Sequence, residues 1–349
     1  MRHILIATIT LSLIGCTTPQ PMHTVAPPTQ VRPTLTATAP VAASPSVAPT
    51  TSSTKFQIQE YAVPRGSRPH DVAPDANGNV WYTAQATGEL GKLNAATGET
   101  KHIKLGNGSS PHGVIMGSDG AAWVTDSGLN AIVRVDPKTE EVKVFALSGV
   151  PNINMNTAAF DSKGILWFTG QNGYYGRLDL KSGKIEAFSA PRGRGPYGIA
   201  ATPEGVIYYA SLAGSHIARI EGDNAKVIEP PTAGQGARRV WSDSKGRIWV
   251  SEWNSGQVSM YDPKTNAWRV WKAPGERAAI YAVYVDDRDF VWLSDFNANA
   301  LLRFDPSTEK FETFILPSQN ASVRQILGRR GEVWGAESGA DKLVVIRTP

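Results

Sequence analysis

The sequence predicts an all-β fold, a seven-bladed β-propeller with four antiparallel strands per blade, and three observations carry that prediction. The chain of 349 residues holds 33 Gly, 24 Pro and 10 Trp and shows no long amphipathic helical pattern, which is the composition of turn-rich β structure. An aromatic within a short apolar run recurs seven times at intervals of 41 to 44 residues: VWYT (Trp81), AWVT (Trp123), LWFT (Trp167), IYYA (Tyr208), IWVS (Trp249), VWLS (Trp292) and VWGA (Trp334). Hairpin turns such as Asn77-Gly78, Asp119-Gly120, Lys163-Gly164 and Glu204-Gly205 come just before these marks. A third and a fourth strand follow, as in NAIVRVDP and KFETFILP. Four strands in ~40 to 45 residues is the length of one propeller blade.

Two segments precede the repeats. Arg2 and His3 stand before an apolar run from Ile4 to Ile14, shorter than the ~20 residues of a membrane-spanning helix and placed where a signal peptide carries its hydrophobic region. The run ends in Leu13-Ile14-Gly15-Cys16, which resembles the bacterial lipobox; that resemblance implies that Cys16 carries lipid as the first mature residue. Residues 1–16 are thus expected to be a lipoprotein signal peptide, and the protein an exported, membrane-anchored lipoprotein facing the periplasm or cell surface. Cys16 is the only cysteine, so no disulfide can form within the chain. Residues 17–55 contain eight prolines, no acidic residue and no Phe, Trp or Tyr, and so cannot bury enough apolar area to offset ordering. They read as a disordered tether stiffened by proline.

The propeller is expected to occupy residues 56–349. Its seventh repeat stops at Val344-Val345-Ile346-Arg347 without a fourth strand, while FQIQEYAVP (56–64) is a surplus strand at the other end. The surplus strand is expected to complete the seventh blade, which removes an open edge.

His70 and His112 lie eleven residues before their tryptophans, on the innermost strands of adjacent blades. The same offset selects Asn156, Tyr197, Arg238 and Tyr281, and with a one-residue deletion Arg324, so one mouth of the central channel is expected to be lined by these seven side chains. If the hairpin turn is centred about four residues before each mark, each ring residue pairs with the residue four after the mark. That register places Gln85 beside His70, Ser127 beside His112, Gln171 beside Asn156, Leu212 beside Tyr197, Trp253 beside Arg238, Phe296 beside Tyr281 and Ser338 beside Arg324. The mouth would have a polar, imidazole-bearing side and an aromatic wall of Trp253, Phe296, Tyr281 and Tyr197, suited to a flat or apolar small-molecule or peptide ligand. Arg238 and Arg324, with the histidines partly protonated below about pH 6.5, would favour an anionic ligand. A solvated channel also accommodates polar side chains as plain water contacts. Asp126, Glu252, Asp295 and Glu337, three after their marks, read as structural acids between blades, partnered by Arg134, Arg177, Arg219 and Arg303, and His102 and His216 as surface residues. Net charge is only +4 and no Lys/Arg run interleaves with aromatics, so no nucleic-acid partner is expected. A monomer is expected.

The motifs PHGV, GPYGI, DGAAWVTD, RIWVSEW and NAIVRVDP resemble the repeats of the virginiamycin B lyase (streptogramin lyase) family over about residues 56 to 349. That resemblance implies a seven-bladed propeller and a Mg²⁺-assisted β-elimination that opens the ester of a cyclic depsipeptide. A histidine removes the proton α to a carbonyl and the carboxylate leaves. Matched to the family's motif, His112 is the base and His70 the companion histidine. Ser110 and Ser127 stand where metal-binding glutamates belong, and Asn156 where the family has a tyrosine. None of the seven ring residues is Asp or Glu, which argues against a Mg²⁺ or Ca²⁺ site at that mouth and leaves Mg²⁺ an implication of the family alone. Two functions follow from the sequence: a lyase acting at His70 and His112, and a ligand-binding or protein-interaction propeller at the cell envelope.

Overall fold

A computed structural model describes residues 55–349; Cys16 and residues 17–54, with the signal, anchor and tether expectations, lie outside the described residues. The described chain forms seven four-stranded antiparallel sheets and no helix, so no helix there is long and apolar enough to cross a membrane. The innermost strands are Pro69–Pro74, Pro111–Met116, Met155–Phe160, Pro196–Ala201, Ala237–Ser242, Ile280–Val285 and Val323–Arg329, one per blade in chain order.

The N-terminal strand Gln57–Ala62 pairs with Lys342–Arg347 and completes blade seven, from Gln57↔Arg347 to Ala62↔Lys342. The closure is held by side chains as well. Lys342 Nζ lies 2.6 Å from Glu60 Oε2, Glu60 also accepts the amide and hydroxyl of Ser318, and Tyr61 stacks on Trp334 at 5.5 Å.

The repeated aromatic sits between blades, and Trp81, Trp249, Trp292 and Trp334 are fully buried. In four blades the Trp Nε1–H donates to an aspartate six residues earlier (Asp75, Asp161, Asp243, Asp286), whose other oxygen accepts amides of the intervening turn. The turn and the tryptophan are therefore fixed by one carboxylate. In the first blade that turn requires Gly78, at φ 89°.

All seven inner hairpins carry a register shift at the ring position. In blade two Pro111 faces Asp126 and Gly113 faces Thr125, leaving His112 as the extra residue of a β-bulge. The ladder pairing expected between each ring residue and the residue four after the mark therefore does not form, although Trp253, Phe296 and Ser338 still lie against Arg238, Tyr281 and Arg324 as expected. A bulge turns the extra side chain out of the ladder, here toward the channel, where a regular strand would have paired it. The bulges are stitched from blade to blade by the hydroxyl two after the mark. Thr83 Oγ1 donates to His112 O (2.8 Å), Thr125 Oγ1 to Asn156 O (2.5 Å), Thr169 Oγ1 to Tyr197 O and Ser251 Oγ to Tyr281 O (2.7 Å). The glycine after the ring residue permits this approach. A Cβ on Gly113 would meet Asn156 O at 2.7 Å, and one on Gly198 would meet Arg239 Cα at 2.5 Å.

Two further expectations need correction. The acids three after the marks are buried but do not pair with the named arginines. Asp126 accepts the amides of Ser110, Gly128 and Leu129, Asp295 those of Ala279 and Asn297, and Glu252 the hydroxyl of Ser255. Arg134 instead reaches Asp119 in the turn of its inner hairpin, and Arg177, Arg219 and Arg303 reach Glu186, Glu221 and Glu312 on the third and fourth strands of their blades. His216 is buried, with Nδ1 donating to Gly214 O at 3.1 Å, and His102 bridges Tyr82 and Glu89, so neither is a plain surface residue.

Candidate functional site

The bulges bring side chains from all seven inner strands toward the channel. On blades one to three, the His70 and His112 rings lie 3.8 Å apart between centroids. Asn156 Nδ2–H donates to His112 Nε2 (3.0 Å), which puts the imidazole proton on Nδ1, a buried atom with no partner among the described residues. His70 Nδ1–H donates to Asp71 Oδ1 at 2.8 Å. Arg239 from blade five reaches the same carboxylate, Nη2 to Oδ1 at 2.8 Å and Nη1 to Oδ2 at 3.4 Å.

The opposite side is aromatic and cationic. Tyr197 and Tyr281 meet hydroxyl to hydroxyl at 2.5 Å. Tyr281 stacks on Phe296 at 4.7 Å with an interplanar angle of 8°, and Trp253 stands edge-on to both. The Arg238 guanidinium lies 3.6 Å from the Tyr281 ring centroid, 4.7 Å from that of Tyr197 and 5.0 Å from that of Trp253. Arg324 is held by Ser338 Oγ (2.7 Å) and points Nη1 at the Tyr281 hydroxyl (3.4 Å). Tyr197 also touches His112 edge to face at 5.9 Å, so the two halves are continuous.

His70, His112, Asn156, Tyr197 and Tyr281 are buried, while Arg238, Arg324, Trp253 and Phe296 are half-buried and offer the accessible surface. Every ring residue expected from the repeat offset is brought to this cluster or its hydrogen-bonded border. The expected histidine charge is not. Burial holds both imidazoles well below the usual range; Arg239, Arg324 and Arg238 act in the same sense on His70, and His70 with Arg239 on His112. Both rings are therefore held toward the neutral form.

Asp71 and Arg239 lie outside the ring offset. Their signal is a break in alternation: His70-Asp71 and Arg238-Arg239 are consecutive polar residues on an inner strand, where one of each pair should be apolar. The bulge explains it: in blade one it frees both His70 and Asp71 from the ladder, and in blade five it frees Arg238 and so shifts the alternation at Arg239, which still pairs with Ser251.

His70, Asp71 and His112 offer donor atoms within 4.8 Å of one another. The Mg²⁺ implied by the family does not fit them. Mg²⁺ needs an octahedron of oxygens, and Asp71, the carboxylate here, is engaged by Arg239 and His70. Ser127 Oγ donates to Ser110 O, and Asp126 faces backbone amides, so the two positions of the family's glutamates supply no carboxylate.

Fold and site together define a seven-bladed propeller whose channel mouth joins a buried imidazole–carboxylate pair to an arginine-flanked aromatic wall. The model of the virginiamycin B lyase family matches residues 98–349, and the chain belongs to that family. Among solved structures it is similar to a streptogramin B lyase (20% identity, TM-score 0.78, 84% of this chain and 98% of the other). It is equally similar to virginiamycin B lyase from Staphylococcus aureus (20% identity, TM-score 0.78, 84% and 100%). A catalytically inactive variant of that enzyme, crystallised with quinupristin, aligns at 21% identity and a TM-score of 0.78 over the same shares. No curated protein sequence matches the chain.

Proposed function

We propose that this chain is a ligand-binding member of the virginiamycin B lyase family that takes an anionic, aromatic-bearing small molecule or peptide at the channel mouth. The observation that carries the reading is that Arg238 and Arg324 flank the aromatic wall and, among the described residues, form no ion pair with any carboxylate. A half-buried guanidinium without a counter-ion attracts a carboxylate and can grip it with two parallel hydrogen bonds. Trp253 and Phe296 supply the adjoining flat apolar surface. The LIGC lipobox and the proline-rich segment support display at the envelope as an exported lipoprotein.

A second reading is ring opening by β-elimination with His112 as base. One observation favours it: burial holds the His112 imidazole toward the neutral form a base requires, with its basic Nε2 covered by the Asn156 amide until a substrate displaces it. The misfit of a hard cation weighs against it, because no group then opposes charge developing on the substrate carbonyl in the way the family's metal does.

The test is a thermal-shift screen of aromatic carboxylates, their amides and divalent cations, on the wild type and Arg238→Ala/Arg324→Ala. Stabilisation by carboxylates but not amides, lost in the double variant, supports the binding reading. Stabilisation by Mg²⁺ alone would sink it.

A further inference from the structure

The two tyrosines between the arginines have no role in either reading beyond shape. Tyr197 from blade four and Tyr281 from blade six are 84 residues apart in sequence, yet their hydroxyls meet at 2.5 Å, at the short end of the range for a hydroxyl–hydroxyl hydrogen bond. Every charged group around them can be named. Arg238 lies against the faces of both rings and Arg239 lies 5.6 Å from the Tyr197 centroid; Arg324 reaches the Tyr281 hydroxyl from blade seven. His112 contacts Tyr197 and is neutral, and behind it stand neutral His70 and the single carboxylate Asp71. Blade three contributes Asn156, which does not titrate. Three guanidiniums, Arg239 buried and Arg238 and Arg324 half-buried, thus face one buried carboxylate. Excess positive charge of that kind in a low-dielectric site is costly until an anion joins it.

We propose that the Tyr197–Tyr281 pair is that anion, sharing one proton between two phenol oxygens with the negative charge chiefly on Tyr281, and that binding of a ligand carboxylate at Arg238 and Arg324 returns the missing proton to Tyr281. The proton comes from solvent, no covalent bond other than O–H changes, and the ligand's charge replaces the phenolate's. Two directions agree with this geometry. Burial pushes the Tyr281 hydroxyl up, but Arg238, Arg239 and Arg324 outweigh it and hold the group below the ordinary phenol range. Burial and the neighbouring Tyr281 drive Tyr197 the other way, so the pair loses one proton early and the second only late. The consequence for the mouth is a ligand affinity that falls as pH rises through the first ionisation, the phenolate being an internal competitor.

The ligand-exchange half of this proposal rests on the anion-binding reading above; the phenolate itself does not. Ultraviolet titration of the ligand-free protein reads the tyrosinate band directly. The expected result is a step of about one tyrosine, out of 10, clearly below the ~10 of ordinary phenols. It should be absent from Tyr281→Phe and moved up by about one pH unit in Arg238→Ala. Near-ultraviolet circular dichroism checks that each variant is folded; if Tyr281→Phe is not, Tyr197→Phe, which removes the hydrogen bond to the phenolate, must move the step up instead. Tyrosines that all ionise together near 10, or a step that survives Tyr281→Phe, would overturn the proposal. Calorimetry with N-acetylphenylalanine in two buffers of different ionisation heat, at the pH of the step, then reads up to one proton taken up per ligand. Binding without proton uptake overturns the exchange; no binding at all counts against the anion-binding reading and leaves the phenolate decided by the titration.

Discussion

Asp71 and Arg239, 168 residues apart, form a buried ion pair from blade one to blade five, with Nη2 2.8 Å from Oδ1. Because the two blades are not neighbours, the pair spans the channel, and it also orients His70 through the second bond to Asp71 Oδ1. Removing one partner leaves the other charged and buried. Asp71→Ala should therefore lower stability by about 3–5 kcal/mol, and the double variant Asp71→Leu/Arg239→Met by much less, as read by urea denaturation. A single variant that costs under about 1 kcal/mol would show that water reaches the channel and solvates Arg239.

Glu337 is buried beside Glu60, so its carboxyl is pushed up to about 8, by burial first and then by Glu60. Its folded value is above the 4.5 of the free group, so the folded state holds a proton that the unfolded state has already lost. Stability should fall as pH rises from about 4.5 to about 8 and then level off. Glu337→Gln should remove this decline and be the more stable protein at pH 9 by a few kcal/mol, since each pH unit separating the folded and free values is worth on the order of 1.4 kcal/mol. Parallel stability–pH curves for the two proteins would contradict the buried, protonated carboxyl.

The strand Gln57–Ala62 is the last partner of blade seven. A protein starting at Arg65 loses six paired residues and the Glu60–Lys342 contact, and exposes Lys342–Arg347 as a raw edge. Its melting temperature should drop by several degrees or the protein should aggregate. A truncated protein that melts with the whole chain would mean that the ring is stable without closure.

Type B streptogramin should be opened slowly or not at all by the wild type. Losing one donor to a developing oxyanion costs ~10² to 10³ in rate, and a metal's absence more. Ser110→Glu/Ser127→Glu is expected to raise any Mg²⁺-dependent rate, because those positions adjoin His112. Elimination leaves mass unchanged, so the product is followed by retention time and fragmentation. Fast opening by the wild type that needs both Mg²⁺ and His112 would establish the lyase reading over the binding one.

Cys16 is proposed to carry lipid, on the strength of the LIGC sequence and the proline-rich stretch after it. Labelled palmitate should enter the wild type and not Cys16→Ser. Equal labelling of the two would remove the anchor from the picture.

Whatever repeats locally can be read from the chain alone. Seven aromatic marks each with a turn before it, the missing fourth strand after Arg347 and the surplus one at Gln57 specify blade number and closure, because each signal lies within one blade's length of chain and the repeat multiplies it sevenfold. The ring residues were legible for the same reason: a constant offset from a buried tryptophan survives any register. How those residues are used depends on the closed ring. The bulge at each ring position needs a neighbouring blade to accept the displaced strand, as Gly113 and Thr125 do for Asn156, so a register counted along one hairpin misplaced it. Asp71 with Arg239 and Tyr197 with Tyr281 meet only after the ring has closed, 168 and 84 residues apart. Their charges and protons follow from burial in a shared channel, a property of all seven strands together that no stretch of the chain carries alone.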